Sequence, residues 1–223
     1  VNFPLIFYRE NCADMAIDED DIDEEFIKST RSLVVTGTHL SNKKTEAAVL
    51  KALQLAKKYG VKTALDIDFR PNLWGLSGHN DGENRFIESS TVTESLQKNL
   101  SYFDLVVGTE EEFFIAGGST SIIDALQNVR NATDAVLVCK RGPLGASLFS
   151  DSIPNDLETA IQGKKFEIEV FNVLGAGDGF MAGLLKGWLS GENWETALTF
   201  ANACGALAVS RHGCTPSYPS LAE

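Results

Sequence analysis

The sequence has few basic residues and no long apolar run. It carries 19 Lys and Arg against 31 Asp and Glu, for a net charge of −12. Proteins that bind nucleic acids through a basic face show the opposite excess, so this function is disfavoured. Apolar runs such as those at residues 33–35, 135–139 and 179–185 fall far short of the roughly 18 residues that a membrane span needs. We therefore expect neither a nucleic acid nor a membrane as a partner.

Cysteine is also scarce, and no two of the four residues have the C-x-x-C spacing of a metal or redox site. Such isolated thiols are typical of buried side chains in a reducing cytoplasm. No basic segment followed by an apolar stretch opens the chain, so we expect no signal peptide. The sequence begins at Val1 in a strand-like run over residues 3–8, as expected for part of a longer protein. An acidic run at residues 18–25 predicts a solvated loop.

From Arg31 onward, short apolar runs alternate with helical patterns. Strands are predicted at residues 32–36, 61–68, 104–107 and 135–139, and helices at residues 43–59, 84–100, 109–115 and 122–129. Apolar strands separated by helices are typical of a parallel sheet covered on both faces. The remainder predicts a hairpin formed by residues 146–150 and 165–170, then helices at residues 176–190 and 194–210. Without repeats or linkers, the sequence predicts one α/β domain over residues 1–223.

Polar and glycine residues follow each of the first four predicted strands. They lie at residues 37–39, 66–71, 108–112 and 140–145. Ligands of open parallel sheets bind outside the carboxyl ends of the strands. The sequence therefore predicts a ligand site along that edge.

The strongest signal is the string Asn-Val-Leu-Gly-Ala-Gly-Asp-Gly-Phe-Met-Ala-Gly at residues 172–183. Residues 175–177 open a predicted helix, whose unpaired N–H groups and dipole attract an anion. A helix-dipole role for Asp178 is the alternative, but it leaves Gly179 and Gly183 unexplained. We therefore favour phosphate or oxyanion binding, with Asp178 beside the anion as a base.

Two other glycine motifs do not match. A Walker A loop requires Ser or Thr after its lysine, and residues 163–166 read Gly-Lys-Lys-Phe. A dinucleotide fingerprint starting at Gly175 requires glycine at its sixth position, where Phe180 stands.

The 172–183 string resembles the second signature of the ribokinase-like (PfkB) carbohydrate kinases, which usually have Asp-Thr at its start. Residues 140–145 are similar to the family's nucleotide loop, and residues 201–217 to its adenine-side helix and closing loop. Residues 108–112 resemble its magnesium motif, with Thr109 in place of the usual Asn. The resemblance implies a ribokinase-like three-layer sandwich, with helices on both faces of a mostly parallel sheet and the β lid largely missing. Residues 1–30 are then a lid remnant and acidic loop, and residues 31–223 the nucleotide-binding and catalytic body.

The same resemblance implies transfer of the γ-phosphate of ATP to a primary hydroxyl. It makes Asp178 the general base and the amides of Gly175, Ala176 and Gly177 the anion hole. The ATP site is expected to include Lys140, Gly142, Gly145 and Asn202. Glu112, with a weaker contribution from Thr109, is expected to hold Mg²⁺, largely through water. The positions that bind a monovalent cation such as K⁺ in some relatives are matched by Asn172, Leu174, Ala208, Gly213 and Ser217. Asn172 replaces the usual Asp, which removes a charge from that site and argues against potassium activation.

Arginines stand out in this acidic chain because they hold carboxylates bidentately. Pairing with nearby acids is the alternative for Arg9 and Arg70. Residues 7–11 and 66–74 resemble the sugar-acid kinases of the family, one of which acts in myo-inositol breakdown, so Tyr8, Arg9 and Arg70 are expected to contact a sugar acid. The first expected acceptor is 5-dehydro-2-deoxygluconate, and the alternatives are 2-keto-3-deoxygluconate or a neutral acceptor such as fructose, ribose or a nucleoside. The family also implies a homodimer, and an inactive nucleotide-binding remnant is the non-enzyme alternative.

Overall fold

The computed structural model describes Arg9 and residues 11–78 and 86–223. Among these residues, the α-helices are α1 (Glu24–Ser29), α2 (Lys43–Tyr59), α3 (Ser90–Leu100), α4 (Glu110–Gly117), α5 (Ile122–Ala132), α6 (Ala176–Ser190) and α7 (Trp194–Val209). The strands are β1 (Ser32–Thr36), β2 (Lys62–Asp66), β3 (Leu105–Thr109), β4 (Val136–Lys140), β5 (Ala146–Phe149) and β6 (Ile161–Gln162). They form a sheet in the order β1-β2-β3-β4-β5-β6. The pairs β1–β2 and β2–β3 are parallel and β5–β6 is antiparallel, which confirms the mostly parallel α/β class.

Helices α2 and α6 have the predicted bounds because their ends are marked by residues with specific backbone roles. The side chain of Asn42 accepts the Lys44 N–H before α2. Gly60 ends that helix at a φ of 66°, a left-handed conformation that glycine adopts without steric cost. Gly191 ends α6 in the same conformation. No helix in the described ranges is both long and apolar enough to span a bilayer.

Three predicted segments are wrong. Helix α3 begins at Ser90 rather than at residue 84, because the Ser89 hydroxyl caps the Val92 N–H; residues 84 and 85 lie outside the described residues. Residues 165–170 have no regular structure and are exposed, and β6 is the strand that pairs with β5. The acidic run is not simply a solvated loop, since α1 begins within it and its acids pair with lysines of α2, as in the Lys58–Glu24 ion pair at 2.7 Å.

The described residues pack as two compact units. The first unit contains the described residues up to Leu137 together with residues 150–155, and the second contains residues 138–149 and 156–223. In the first unit, Leu53, Leu65 and Leu105 are fully buried in the core. These are packing units, and the single domain expected from the sequence stays a prediction.

In the second unit, α6 and α7 cross closely because α6 has glycine where the two backbones approach. A Cβ atom at Gly183 would lie 2.5 Å from the Phe200 carbonyl oxygen, and one at Gly187 would lie 2.6 Å from the Ala197 Cα. At Gly179 the distance to the Cys204 carbonyl oxygen would be 3.2 Å. Gly179 and Gly183 are thus explained by helix packing. The interpretation of these two glycines as part of an anion site is therefore wrong.

Gly183→Ala is expected to lower the free energy of unfolding by about 2 kcal/mol and Tm by about 6 °C, because the helices must separate to admit the methyl group. Gly205→Ala is the matched control, since a Cβ there has ordinary contacts of 3.5 Å and longer. It gains helix propensity without a clash, so Tm should stay unchanged or rise. Thermal unfolding followed by circular dichroism measures both. Shifts in the same direction would contradict the packing argument.

Candidate active site

In the first unit, polar side chains follow β1, β2 and β3 at one edge of the sheet. The parallel register places Thr36 opposite Asp66 and Asp66 opposite Val107, so the carboxyl ends of these strands are neighbours. Asp66 and Glu112 are both buried there, with 7% and 6% of their surfaces exposed. Buried acids need hydrogen bonds or an opposite charge, and the local arrangement supplies both.

Glu112 and Thr109 form a reciprocal cap at the start of α4. Glu112 Oε2 accepts the Thr109 N–H at 2.7 Å, and Thr109 Oγ1 accepts the Glu112 N–H at 3.2 Å. Arg70 lies beside this cap, with its guanidinium 3.6 Å from Glu112 Oε1 and 2.7 Å from Asp68 Oδ1. Asp68 has a φ of 37°, an uncommon conformation for a residue with a side chain. One guanidinium therefore serves two carboxylates.

This cap bears on the predicted magnesium site. The Thr109 hydroxyl and one Glu112 oxygen already accept N–H groups of the helix. In the described part of the chain, no three acids, histidines or cysteines are grouped so that they could hold a metal by themselves. The arrangement fits a water-mediated contact from Glu112 to a metal that is held mainly by other oxygens, and it gives Thr109 a structural role. Both metal assignments stay predictions.

Arg9, the second predicted carboxylate-binding arginine, forms an ion pair with Asp14. His39 Nε2 lies 3.8 Å from the same carboxylate, and His39 Nδ1 lies 2.9 Å from Thr36 Oγ1. Burial, and then the charge of Arg9, lowers the pKa of His39, so its imidazole is neutral at pH 7. Tyr8 lies outside the described residues. Both predicted arginines thus pair with acids of the chain itself, which is the alternative the sequence left open, and a sugar-acid contact stays a prediction.

The predicted nucleotide loop of the second unit follows β4. Gly142 and Gly145 adopt φ values of 55° and 77°, where glycine is favoured. A Cβ atom at Gly145 would lie 3.3 Å from Asn202 Nδ2, so the fold brings these two predicted site residues together. The Asn202 amide donates to the Lys164 carbonyl at 2.9 Å. This contact holds residue 164 against α7.

The start of α6 has the features of an anion site. Gly175 stands at the N-cap with a φ of 83° and has no side chain to cap the helix. A Cβ atom there would lie 2.6 Å from Cys214 Sγ, so only glycine fits. A Cβ atom at Gly177 would lie 3.6 Å from Lys140 Nζ, which places the ammonium group beside the N-terminus of the helix. Two positive features converge here, and a phosphate would neutralise both.

Asp178 lies in the first turn of α6 and is exposed. The Tyr218 hydroxyl donates to Asp178 Oδ2 at 3.3 Å, and Cys214 Sγ lies 3.3 Å from the same hydroxyl. Burial, together with the Cys214 contact and the Asp178 charge, raises the pKa of Tyr218, so the phenol remains a hydrogen-bond donor. The sequence did not single out Tyr218 for this site. The sequence shows only that Tyr218 directly follows the predicted closing loop, and it does not indicate which side chain Tyr218 contacts.

The structure also brings together most of the predicted cation positions. The Asn172 side chain accepts the Leu174 N–H and donates to the Gly213 carbonyl, and Ser217 Oγ lies 3.2 Å from the same carbonyl oxygen. Ala208, the remaining one, is buried in α7.

The chain is similar to a known protein family over nearly its whole length. A family model described as pfkB family carbohydrate kinase matches residues 4–221. The chain belongs to the pfkB family. The region after β1, β2 and β3 and the region formed by the loop after β4 and the start of α6 are therefore the candidate sites of a pfkB chain.

Curated relatives of this pfkB chain include two proteins named 5-dehydro-2-deoxygluconokinase. The one from Bacillus licheniformis is 30% identical over 223 residues, and the one from Listeria innocua is 32% identical over 224 residues. Each alignment covers 98% of this chain and 63% of the relative. The chain thus spans less than two thirds of the length of these relatives.

Solved structures confirm the ribokinase-like fold. A candidate ribokinase II from E. coli, in complex with ATP and Mg²⁺, has a TM-score of 0.79 at 23% identity and covers 96% of this chain and 63% of its own. A fructokinase from Xylella fastidiosa with bound ATP has a TM-score of 0.78 at 21% identity, covering 97% of this chain and 67% of its own. At these identities, the similarity shows the fold alone.

Proposed function

We propose that this protein transfers the γ-phosphate of ATP to a primary hydroxyl of a sugar acid, with 5-dehydro-2-deoxygluconate as the first candidate. The observation that carries the proposal is the Lys140 ammonium beside the uncapped N-terminus of α6, next to the exposed Asp178 carboxylate. A phosphate-binding feature and a base on the same helix turn are what phosphoryl transfer requires. The named relatives at 30% and 32% identity support the sugar acid.

Each group has a defined part in the transfer. Negative charge on the transferred group would be stabilised by the N–H groups of Gly175 and Gly177 and by Lys140. The Ala176 N–H, which the sequence also predicts for this role, donates to the Val173 carbonyl at 3.3 Å instead. Asp178 accepts the proton of the attacking hydroxyl, and Tyr218 fixes the orientation of the carboxylate by donating to Oδ2. Mg²⁺ that arrives with ATP would neutralise further phosphate charge.

The choice of acceptor depends on what the arginines of the first unit can bind. A guanidinium has five N–H donors, and Arg70 already serves Asp68, Glu112 and the Phe69 carbonyl, so a substrate carboxylate would share this guanidinium with groups of the chain. The pairing of Arg9 and Arg70 with acids of the chain favours a second candidate, a kinase that acts on a neutral sugar such as fructose or ribose. A homodimer stays a prediction, which sedimentation of the protein would test.

Lys140→Ala is expected to weaken binding of Mg-ATP by about 10–100-fold, the loss that follows from removing one charged contact. Isothermal titration calorimetry on the chain measures the dissociation constant. Lys186→Ala is the matched control, because Lys186 lies further along α6, where its ammonium donates to Ser190. Its affinity for Mg-ATP should be unchanged. If Lys140→Ala binds Mg-ATP as tightly as wild type, the nucleotide does not bind beside Lys140.

A further inference from the structure

A single side chain, that of Asn172, ties the loop before α6 to the loop after α7. Its Nδ2 donates to the carbonyl oxygens of Arg211 at 2.7 Å and Gly213 at 3.3 Å. Its Oδ1 accepts the Leu174 N–H at 2.8 Å. These partners define the orientation of the amide, because carbonyls only accept and the backbone N–H only donates. Both N–H groups and the oxygen of the amide are therefore used.

The surroundings of Asn172 are rich in oxygen. Ser217 Oγ lies 3.2 Å from the Gly213 carbonyl oxygen and donates its one proton to the Cys214 carbonyl at 2.5 Å. The Val209 carbonyl accepts the Asn172 N–H at 3.3 Å. Helix α7 ends at Val209, so the negative end of its dipole lies here as well. Converging carbonyls of this kind can replace the hydration shell of an alkali cation.

The residues present do not fit the potassium site that the family resemblance implies. The Arg211 carbonyl already accepts a short hydrogen bond from Asn172, and the Gly213 carbonyl accepts the other N–H of the same amide. Because Asn172 Nδ2 lies within hydrogen-bond distance of both carbonyl oxygens, a cation bound to the same two oxygens would compete with this nitrogen for its position. The amide and the cation are therefore alternatives.

We propose that the Asn172 amide takes the place of a monovalent cation in this chain. It neutralises two converging carbonyl dipoles and joins the two loops, so the start of α6 is held without potassium. An Asp at this position would instead add a negative charge against the carbonyls, and a cation would be needed to offset it. The proposal concerns the folding of the second unit and stands apart from phosphoryl transfer.

Asn172→Asp tests the proposal by thermal unfolding of the chain in ~0.1 M potassium chloride or tetramethylammonium chloride, salts with equal screening. The Tm of wild type should agree within about 1 °C between the two salts. This is less than the few degrees by which 1 kcal/mol of stability shifts Tm. Asn172→Asp should melt about 5 °C lower in tetramethylammonium, because two donors are replaced by a charge. Potassium should restore most of that loss in a saturable way.

The control is Asn128→Asp in the first unit. The Asn128 amide donates to one carbonyl, that of Gly117 at 2.9 Å, so the same substitution removes a donor. Its loss in Tm should be equal in both salts.

Three outcomes would overturn the proposal, and all are independent of kinase activity. One is a wild-type Tm that rises saturably with potassium over tetramethylammonium. Another is an Asn172→Asp variant that responds to potassium no more than the Asn128→Asp control. The third is an Asn172→Asp variant that stays unfolded in both salts, because the carbonyls then do not bind the cation that should rescue it.

Discussion

Asp178→Asn is expected to lower kcat for phosphoryl transfer by about 10³-fold, within the range of general-base contributions, while the dissociation constant for ATP changes by no more than about twofold. The carboxylate takes a proton from the acceptor hydroxyl, which an amide cannot do. Asn keeps a carbonyl oxygen that accepts the Tyr218 hydroxyl, so the local structure is retained. A coupled assay of ADP release with sugar acids gives kcat, and calorimetry gives ATP affinity.

Glu195→Gln is the matched control for this substitution. Glu195 is an exposed acid in the first turn of α7, so its neutralisation removes the same favourable helix-dipole interaction without touching the candidate site. Its kcat should equal that of wild type. An Asp178→Asn variant with wild-type turnover would exclude Asp178 as the base. Wild-type protein that binds ATP but releases no ADP with any acceptor would instead indicate an inactive nucleotide-binding remnant.

Elements whose ends depend on local backbone chemistry were predictable from the sequence. Asn42 and Gly60 bound α2, and glycines bound α6 at both ends, because capping depends on residues adjacent in the chain. The partner of β5 was not predictable in this way. Residues 165–170 alternate charged and apolar side chains, as an edge strand does, but strand pairing is decided by distant contacts. Lys164 is instead held by Thr199 and Asn202 of α7.

The candidate site likewise contains contacts that the sequence predicts and contacts that it does not. Parallel pairing made the meeting of residues after β2 and β3 predictable, and Arg70 does lie beside Glu112. Ion-pair partners that come from separate loops, such as Asp14 for Arg9, leave no periodic signal in the sequence. A small residue such as Gly183 is equally ambiguous. Sequence alone does not distinguish glycine required for ligand approach from glycine required for helix packing.

Arg70→Lys is expected to lower kcat/KM about 100-fold for 5-dehydro-2-deoxygluconate and by less than about threefold for fructose, because Lys loses the planar fork that binds a carboxylate bidentately. Lys is the appropriate replacement, since it keeps a positive charge beside the buried Glu112 carboxylate. Ala would leave that carboxylate uncompensated, at a cost of about 3–5 kcal/mol in stability. Kinetics of one protein preparation on both acceptors provide the measurement.

The ratio between the two acceptors separates substrate binding from structure. If Arg70 only stabilises Asp68 and Glu112, the substitution disturbs the edge of the sheet and lowers kcat/KM equally for both acceptors. Arg141→Lys is the control for an altered ion pair in the nucleotide loop, since Arg141 pairs with Glu158 at 2.6 Å and should leave the ratio unchanged. Equal losses with Arg70→Lys would make the neutral sugar the better-supported acceptor. A loss confined to the acid would assign Arg70 to its carboxylate.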